Sequence, residues 1–73
     1  MTKTVDARGL SCPQPVIMFL DAVKSAQDTT FEVIVDTEAS KENVSRAAES
    51  RNCHVKEIRE QDAEYHLTIV KNP

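Results

Sequence analysis

Seventy-three residues, 29 % of them charged, with a net charge of −3 and a mean hydropathy of −0.43, describe a small globular chain near the lower limit for a self-sufficient core. No apolar run approaches the ~20 residues that a membrane-spanning helix needs. The acidic balance and the 4 % aromatic content argue against nucleic-acid binding, which asks for a basic face or stacking platforms.

Residues 2–7 are predicted as a short strand, with Val5 and Ala7 on one face and Asp6 on the other. The next stretch, Asp6-Ala7-Arg8-Gly9-Leu10-Ser11-Cys12-Pro13-Gln14-Pro15, holds the sole glycine, two of the three prolines and one of the two cysteines. Gly9 is expected to take a backbone angle that other residues avoid, turning strand into loop. Proline is favoured at the first helical position, which makes Pro13 the start of a helix and Cys12 its cap. Pro15 falls inside the tolerated first turn. Pro13 and Pro15 donate no N–H, so mainly the Gln14 N–H faces the Cys12 side chain. With the helix dipole this favours thiolate, so the Cys12 pKa is expected below its ordinary value of about 8.5. Read as local chemistry alone, Cys12 is equally well a small buried apolar residue. Asp6 is either a solvated carboxylate or a hydrogen-bond partner that fixes the loop.

The first helix is predicted over 13–26, with Val16, Phe19, Leu20, Val23 and Ala26 as its core stripe. Ile17 and Met18 fall outside that stripe, beside the thiol, and form a candidate docking patch. Residues 31–36 read as a strand with Phe31, Val33 and Val35 on one face. Ser40 is the expected cap of a second helix running to about residue 51, with Val44, Ala47, Ala48 and Arg51 inward. Lys41, Arg46, Arg51 and Arg8 form either a small basic patch or a solvated face balanced by Glu42 and Glu49. Asn52 suits the left-handed residue that ends a helix. A third strand over 53–60 breaks parity at Ile58, which calls for a bulge. Cys53 reads as core filler. After a turn at 61–63 without its usual glycine, a fourth strand spans 64–70, with Tyr65, Leu67 and Ile69 inward and His66 at the surface. Cys12, Cys53, His54 and His66 lack the paired spacing of a zinc site, so no metal and no cofactor is expected.

The order is strand, helix, strand, helix, strand, strand. Right-handed crossovers put both helices on one face of the sheet, giving a two-layer α+β sandwich with its other face open. Residues 1–73 are expected to form one domain.

The run Asp6, Arg8-Gly9-Leu10, Cys12-Pro13-Gln14-Pro15 resembles the signature of the TusA/SirA-type sulfur carriers, small proteins whose single cysteine carries a persulfide. The later run Asp36-Thr37-Glu38-Ala39-Ser40-Lys41-Glu42-Asn43-Val44-Ser45-Arg46 resembles the amino-terminal domain of YedF-type proteins, linked to selenium and sulfur metabolism, which usually continue into a second domain. The resemblance implies a four-stranded mixed sheet under two helices, with Cys12 as the persulfide carrier. Asp6, Arg8, Gly9, Leu10, Pro13, Gln14 and Pro15 would support it, and Ile17 and Met18 would meet partners. It implies a cysteine desulfurase-type donor and a downstream sulfur-acceptor protein, DsrE-like in some branches. Arg8 is a candidate to hold the persulfide anion. The amino terminus lacks the layout of a signal peptide, so a reducing cytoplasm is the expected compartment. The competing reading is a regulatory or redox-sensing interaction module in which Cys12 transfers nothing.

Overall fold

The computed structural model describes residues 2–10, 14–25 and 27–72. Its elements are β1 (Thr2–Asp6), α1 (Gln14–Ser25), β2 (Thr30–Val35), α2 (Glu38–Ser50), β3 (Cys53–Gln61) and β4 (Glu64–Lys71). They form one mixed sheet in the order β1-β2-β4-β3, in which only the β1–β2 pair is parallel. That is the α+β sandwich expected from the sequence.

The β-branched run of β2 makes it the central inward strand. Phe31, Val33 and Val35 are fully buried and lie opposite Ile69, Leu67 and Tyr65 of β4. Directly opposed residues share a face, so the two strands present one apolar surface. Phe19 of α1 closes on it, its ring edge-to-face with Phe31 at 6.1 Å and 85°. Val44 and Ala48 of α2 complete the same cluster, as does Cys53.

Three details depart from the sequence reading. The buried line of α1 is Pro15, Phe19 and Ala22, with Val16, Leu20 and Val23 only flanking it; Ala26 lies outside the described residues. This rotation brings Met18 against the core, where the periodicity had placed it outside, and leaves Ile17 44 % exposed. The cap of α2 is Thr37, not Ser40. Thr37 is extended (φ −135, ψ 152), and its hydroxyl accepts from the Ser40 N–H at 3.1 Å, so the helix starts at Glu38 and Ser40 is buried within its first turn. Arg51 caps the far end of α2 and is exposed rather than inward.

Asn52 takes φ 62 as expected, and the register of β3 shifts between Val55 and Glu57, the bulge that the parity of Ile58 requires. The β3–β4 hairpin turns on Asp62 (φ 53) and Ala63 (φ 62), two left-handed residues as a tight hairpin demands. A left-handed alanine carries a steric cost of about 1–2 kcal/mol, partly offset by its smaller entropy loss on folding relative to glycine. Ala63→Gly is therefore expected to stabilise the fold by about 0.5–1 kcal/mol, read as a higher urea midpoint at unchanged slope.

Candidate functional site

β1 and β2 run parallel and end at the same border of the sheet, and β4, antiparallel to β2, begins there. Each of these strand ends carries a carboxylate: Asp6 ends β1, Asp36 follows β2, and Glu64 opens β4. The loop after β1 crosses this border. The Asp6 carboxylate accepts from the Arg8 backbone N–H at 3.2 Å, from Nε at 2.9 Å and from Nη2 at 2.7 Å. Arg8 Nη1 reaches Glu64 at 3.2 Å. The Gly9 N–H donates to Asp36 at 2.8 Å. Gly9 has φ +77, and a side-chain carbon there would meet nothing within 4 Å, so the backbone angle alone calls for glycine. Leu10 turns back, its N–H donating to the Ala7 carbonyl at 3.4 Å, and the residue is 36 % exposed.

The sequence-predicted residues thus fall into three groups. Asp6, Arg8, Gly9 and Leu10 form the anchored loop. Gln14 starts α1 exposed, while Pro15 is fully buried in the core. Cys12 and Pro13 lie outside the described residues, and with them the cap geometry and the lowered thiol pKa expected of Cys12. Asp36 and Glu64, which complete the loop's anchoring, have no local signal in the sequence: they are 27 and 56 positions from the groups they bind.

Arg8 directs three of its nitrogens to carboxylates, and these hold its pKa above the ordinary arginine value. In turn the Arg8 side chain and backbone hold the Asp6 carboxyl down to about 2, from an ordinary 3.8. The pair is solvent-exposed, so salt weakens it. Arg8 is engaged by acids, the Lys41 ammonium lies 4.9 Å over the Tyr65 ring, and Arg51 lies beside α1.

Outward on α1, Ile17, Leu20, Asp21 and Lys24 recur at three- and four-residue spacing. With Val23 and Arg51 they line a shallow recess of about 560 Å³. On the open sheet face, His66 is half-buried between two carboxylates, Nδ1 at 3.3 Å from Glu32 and Nε2 at 3.4 Å from Glu64. Cys53 is buried, its Sγ–H donating to the Arg51 carbonyl at 3.5 Å, and burial pushes its thiol pKa up against the opposing pull of Lys71. His54, next to it, is exposed and meets Asn72 Oδ1 at 2.7 Å.

The sequence profile of the family described as sulfurtransferase TusA matches residues 3–71. The chain belongs to the TusA family. A solved SirA-like protein from Desulfitobacterium hafniense is 32 % identical to it, with a TM-score of 0.85 over 100 % of both chains. No curated protein matches the sequence. TusA-family membership and the SirA-like fold support a sulfur carrier or sulfurtransferase role, and TusA proteins work between sulfur donors and acceptors. Among the described residues no helix is long and apolar enough to cross a membrane.

The depressed Asp6 carboxyl contributes stability in full above its ordinary pKa of 3.8 and loses it as pH falls through about 2. The stability difference between wild type and Asp6→Asn, from urea melts, is thus expected to be flat above about pH 5 and to shrink from there towards pH 2. Cys53 is expected to take no iodoacetamide in the native protein and to label only in denaturant, as resolved by peptide mass spectrometry.

Proposed function

We propose that this TusA-family chain, taken over 1–73 as one domain, is a cytoplasmic carrier that accepts a sulfane sulfur on Cys12 and relays it to an acceptor protein. The observation that carries this reading is the anchored segment Arg8–Gly9, which ends three residues before Cys12 in the chain, while the other cysteine, Cys53, is buried in the core. A chain fixed immediately upstream of a thiol suits a reaction that needs one sulfur held out for two successive partners.

The chemistry is thiol–persulfide exchange. The Cys12 thiolate attacks the outer sulfur of a donor persulfide, the donor's S–S bond breaks, and the donor cysteine leaves as thiolate. Cys12 then carries –S–SH. An acceptor thiolate attacks the outer sulfur, and Cys12 departs as thiolate, ready for another cycle. No electrons are gained or lost overall. Such exchange depends on thiolate fraction and access. The donor is a cysteine desulfurase-type protein and the acceptor a thiol protein, DsrE-like in this reading. The stretch 36–46 points towards the YedF branch, where selenium as well as sulfur is a fitting cargo; thiolation of tRNA is the alternative destination. No direct nucleic-acid contact and no membrane enters the scheme.

Docking is assigned to the outward side of α1. Exposed Ile17 and Lys24 carry it in this scheme, whereas Met18 packs against the core. Arg8, with its guanidinium on Asp6 and Glu64, acts in this scheme as a loop anchor rather than as the counterion of the persulfide.

Incubation with a cysteine desulfurase and cysteine is expected to add about 32 Da per sulfur, on Cys12, absent in Cys12→Ser and removed by dithiothreitol. An adduct that persists in Cys12→Ser, or no adduct in wild type, rejects the relay. Cys12 that alkylates at neutral pH no faster than free cysteine favours a regulatory module instead. Ile17→Asp is expected to slow loading by the desulfurase at least about tenfold while leaving alkylation by iodoacetamide within a factor of about two, because it alters docking and not the sulfur.

A further inference from the structure

We propose that β3 is a self-association edge, along which two copies of this chain pair antiparallel about an axis at Ile58. β3 is an outermost strand of nine residues, paired on one side only, with β4. Its backbone groups alternate in direction. Gln61 and Glu64 close the two-residue turn and share its hydrogen bond. Counting back from that pair, Arg59 and Glu57 direct their backbone groups at β4, while Glu60 and Ile58 direct theirs outward. Ile58 stands opposite the fully buried Leu67, hence on the helix side of the sheet, yet it is 43 % exposed. An exposed isoleucine with outward backbone groups is what a further strand would cover.

The order of charges says which strand. The segment Lys56-Glu57-Ile58-Arg59-Glu60 is its own electrostatic complement when turned about its centre. Glu57 then faces Arg59 of the second copy, Lys56 faces Glu60, and the two-fold axis makes each pair twice. At the axis the isoleucines exchange both backbone hydrogen bonds. Opposed residues share a face, so the isoleucines meet on the helix side and the Glu57–Arg59 pairs on the open side. Other registers fail. An axis at Glu57 or Glu60 opposes two glutamates, one at Arg59 opposes two arginines, and parallel pairing in register sets every charge against itself. The single chain leaves these charges little engaged. Arg59 reaches Glu32 and Glu57 only at 3.9 Å, and among the described residues Lys56 and Glu60 have no ion-pair partner. Charges that turn away a strand of another sequence are thus matched by a second copy. Association stops at two, because the pair consumes both β3 edges. α1 packs on β1, β2 and α2, so its outward side is a separate surface.

The test is sedimentation velocity in low salt with dithiothreitol present, so that no disulfide contributes, from ~10 µM to ~1 mM chain. About five residues a side is far below the ~20 of a stable interface, so wild type is expected to dimerise with a dissociation constant on the order of hundreds of micromolar. Glu57→Arg and Arg59→Glu are each expected to weaken this at least about tenfold, because each opposes like charges twice across the axis. Mixed in equal amounts, these two variants are expected to recover association to at least the wild-type level, one copy supplying both cations and the other both anions. Ile58→Lys, which sets two cations at the axis, is expected to weaken it by a similar factor. The three positions are exposed, and melting temperatures of the dilute variants are expected to confirm folding. Ile17→Asp is expected to leave association unchanged. Wild type that stays monomeric to ~1 mM overturns the proposal. So does a dimer that the charge variants leave intact, a mixture that fails to associate, or a dimer lost in Ile17→Asp, which would place the contact on α1. None of these readouts uses Cys12, so the carrier reading and this one fail independently.

Discussion

The loop after β1 depends on an anionic border that the sheet provides. Three neighbouring strands bring Asp6, Asp36 and Glu64 to one side of the sheet, and a two-residue segment, Arg8–Gly9, supplies the donors that meet them. An unpaired carboxylate cluster repels itself, and a loop with a left-handed glycine has entropy to lose; the hydrogen bonds between the two offset both costs. The guanidinium fits this place because its planar fork serves two carboxylates at once, which a lysine cannot do in the same geometry.

That border exists only because the strands are in register. Phe31, Val33 and Val35 against Ile69, Leu67 and Tyr65 fix β2 relative to β4, since a slip of one residue would turn the apolar set to solvent. The same register places Asp36 and Glu64 at adjacent strand ends. The packing of Phe19 on Phe31 then sets the rotation of α1, and this rotation decides that Ile17 and Lys24 face outward while Met18 faces in. Core geometry thus determines which residues α1 turns outward.

Much of this was legible in the sequence, and the exceptions have physical reasons. Alternation in 31–36 and 64–70 and the order of elements were enough for the sandwich. Gly9 and Asn52 declared their left-handed angles by residue type, and the misplaced Ile58 declared the bulge. The rotation of α1 was not legible, because a helix with apolar residues at 16, 17, 18, 19, 20, 22 and 23 has no unique stripe and the sheet makes the choice. The cap of α2 was misplaced for a similar reason: Thr37 and Ser40 are both good caps, and the early turn of the chain after Val35 selects the first. Arg8 and Gly9 were visible as members of a motif, but the pairing of Arg8 with Glu64 and of Gly9 with Asp36 was not, since hydrogen bonds spanning 56 and 27 positions leave no periodic trace.

The irregularity at Lys56 has a further consequence. β3 and β1 are the outermost strands, and an outermost strand offers unpaired amides to any passing extended peptide. The register shift interrupts that row in β3, and the flanking Lys56, Glu57, Arg59 and Glu60 surround it with charge; β1 is five residues long and carries exposed Lys3. Neither border is a good template for open-ended growth into longer sheets. A protein this small therefore guards both borders of its sheet with one extra residue and a few charges.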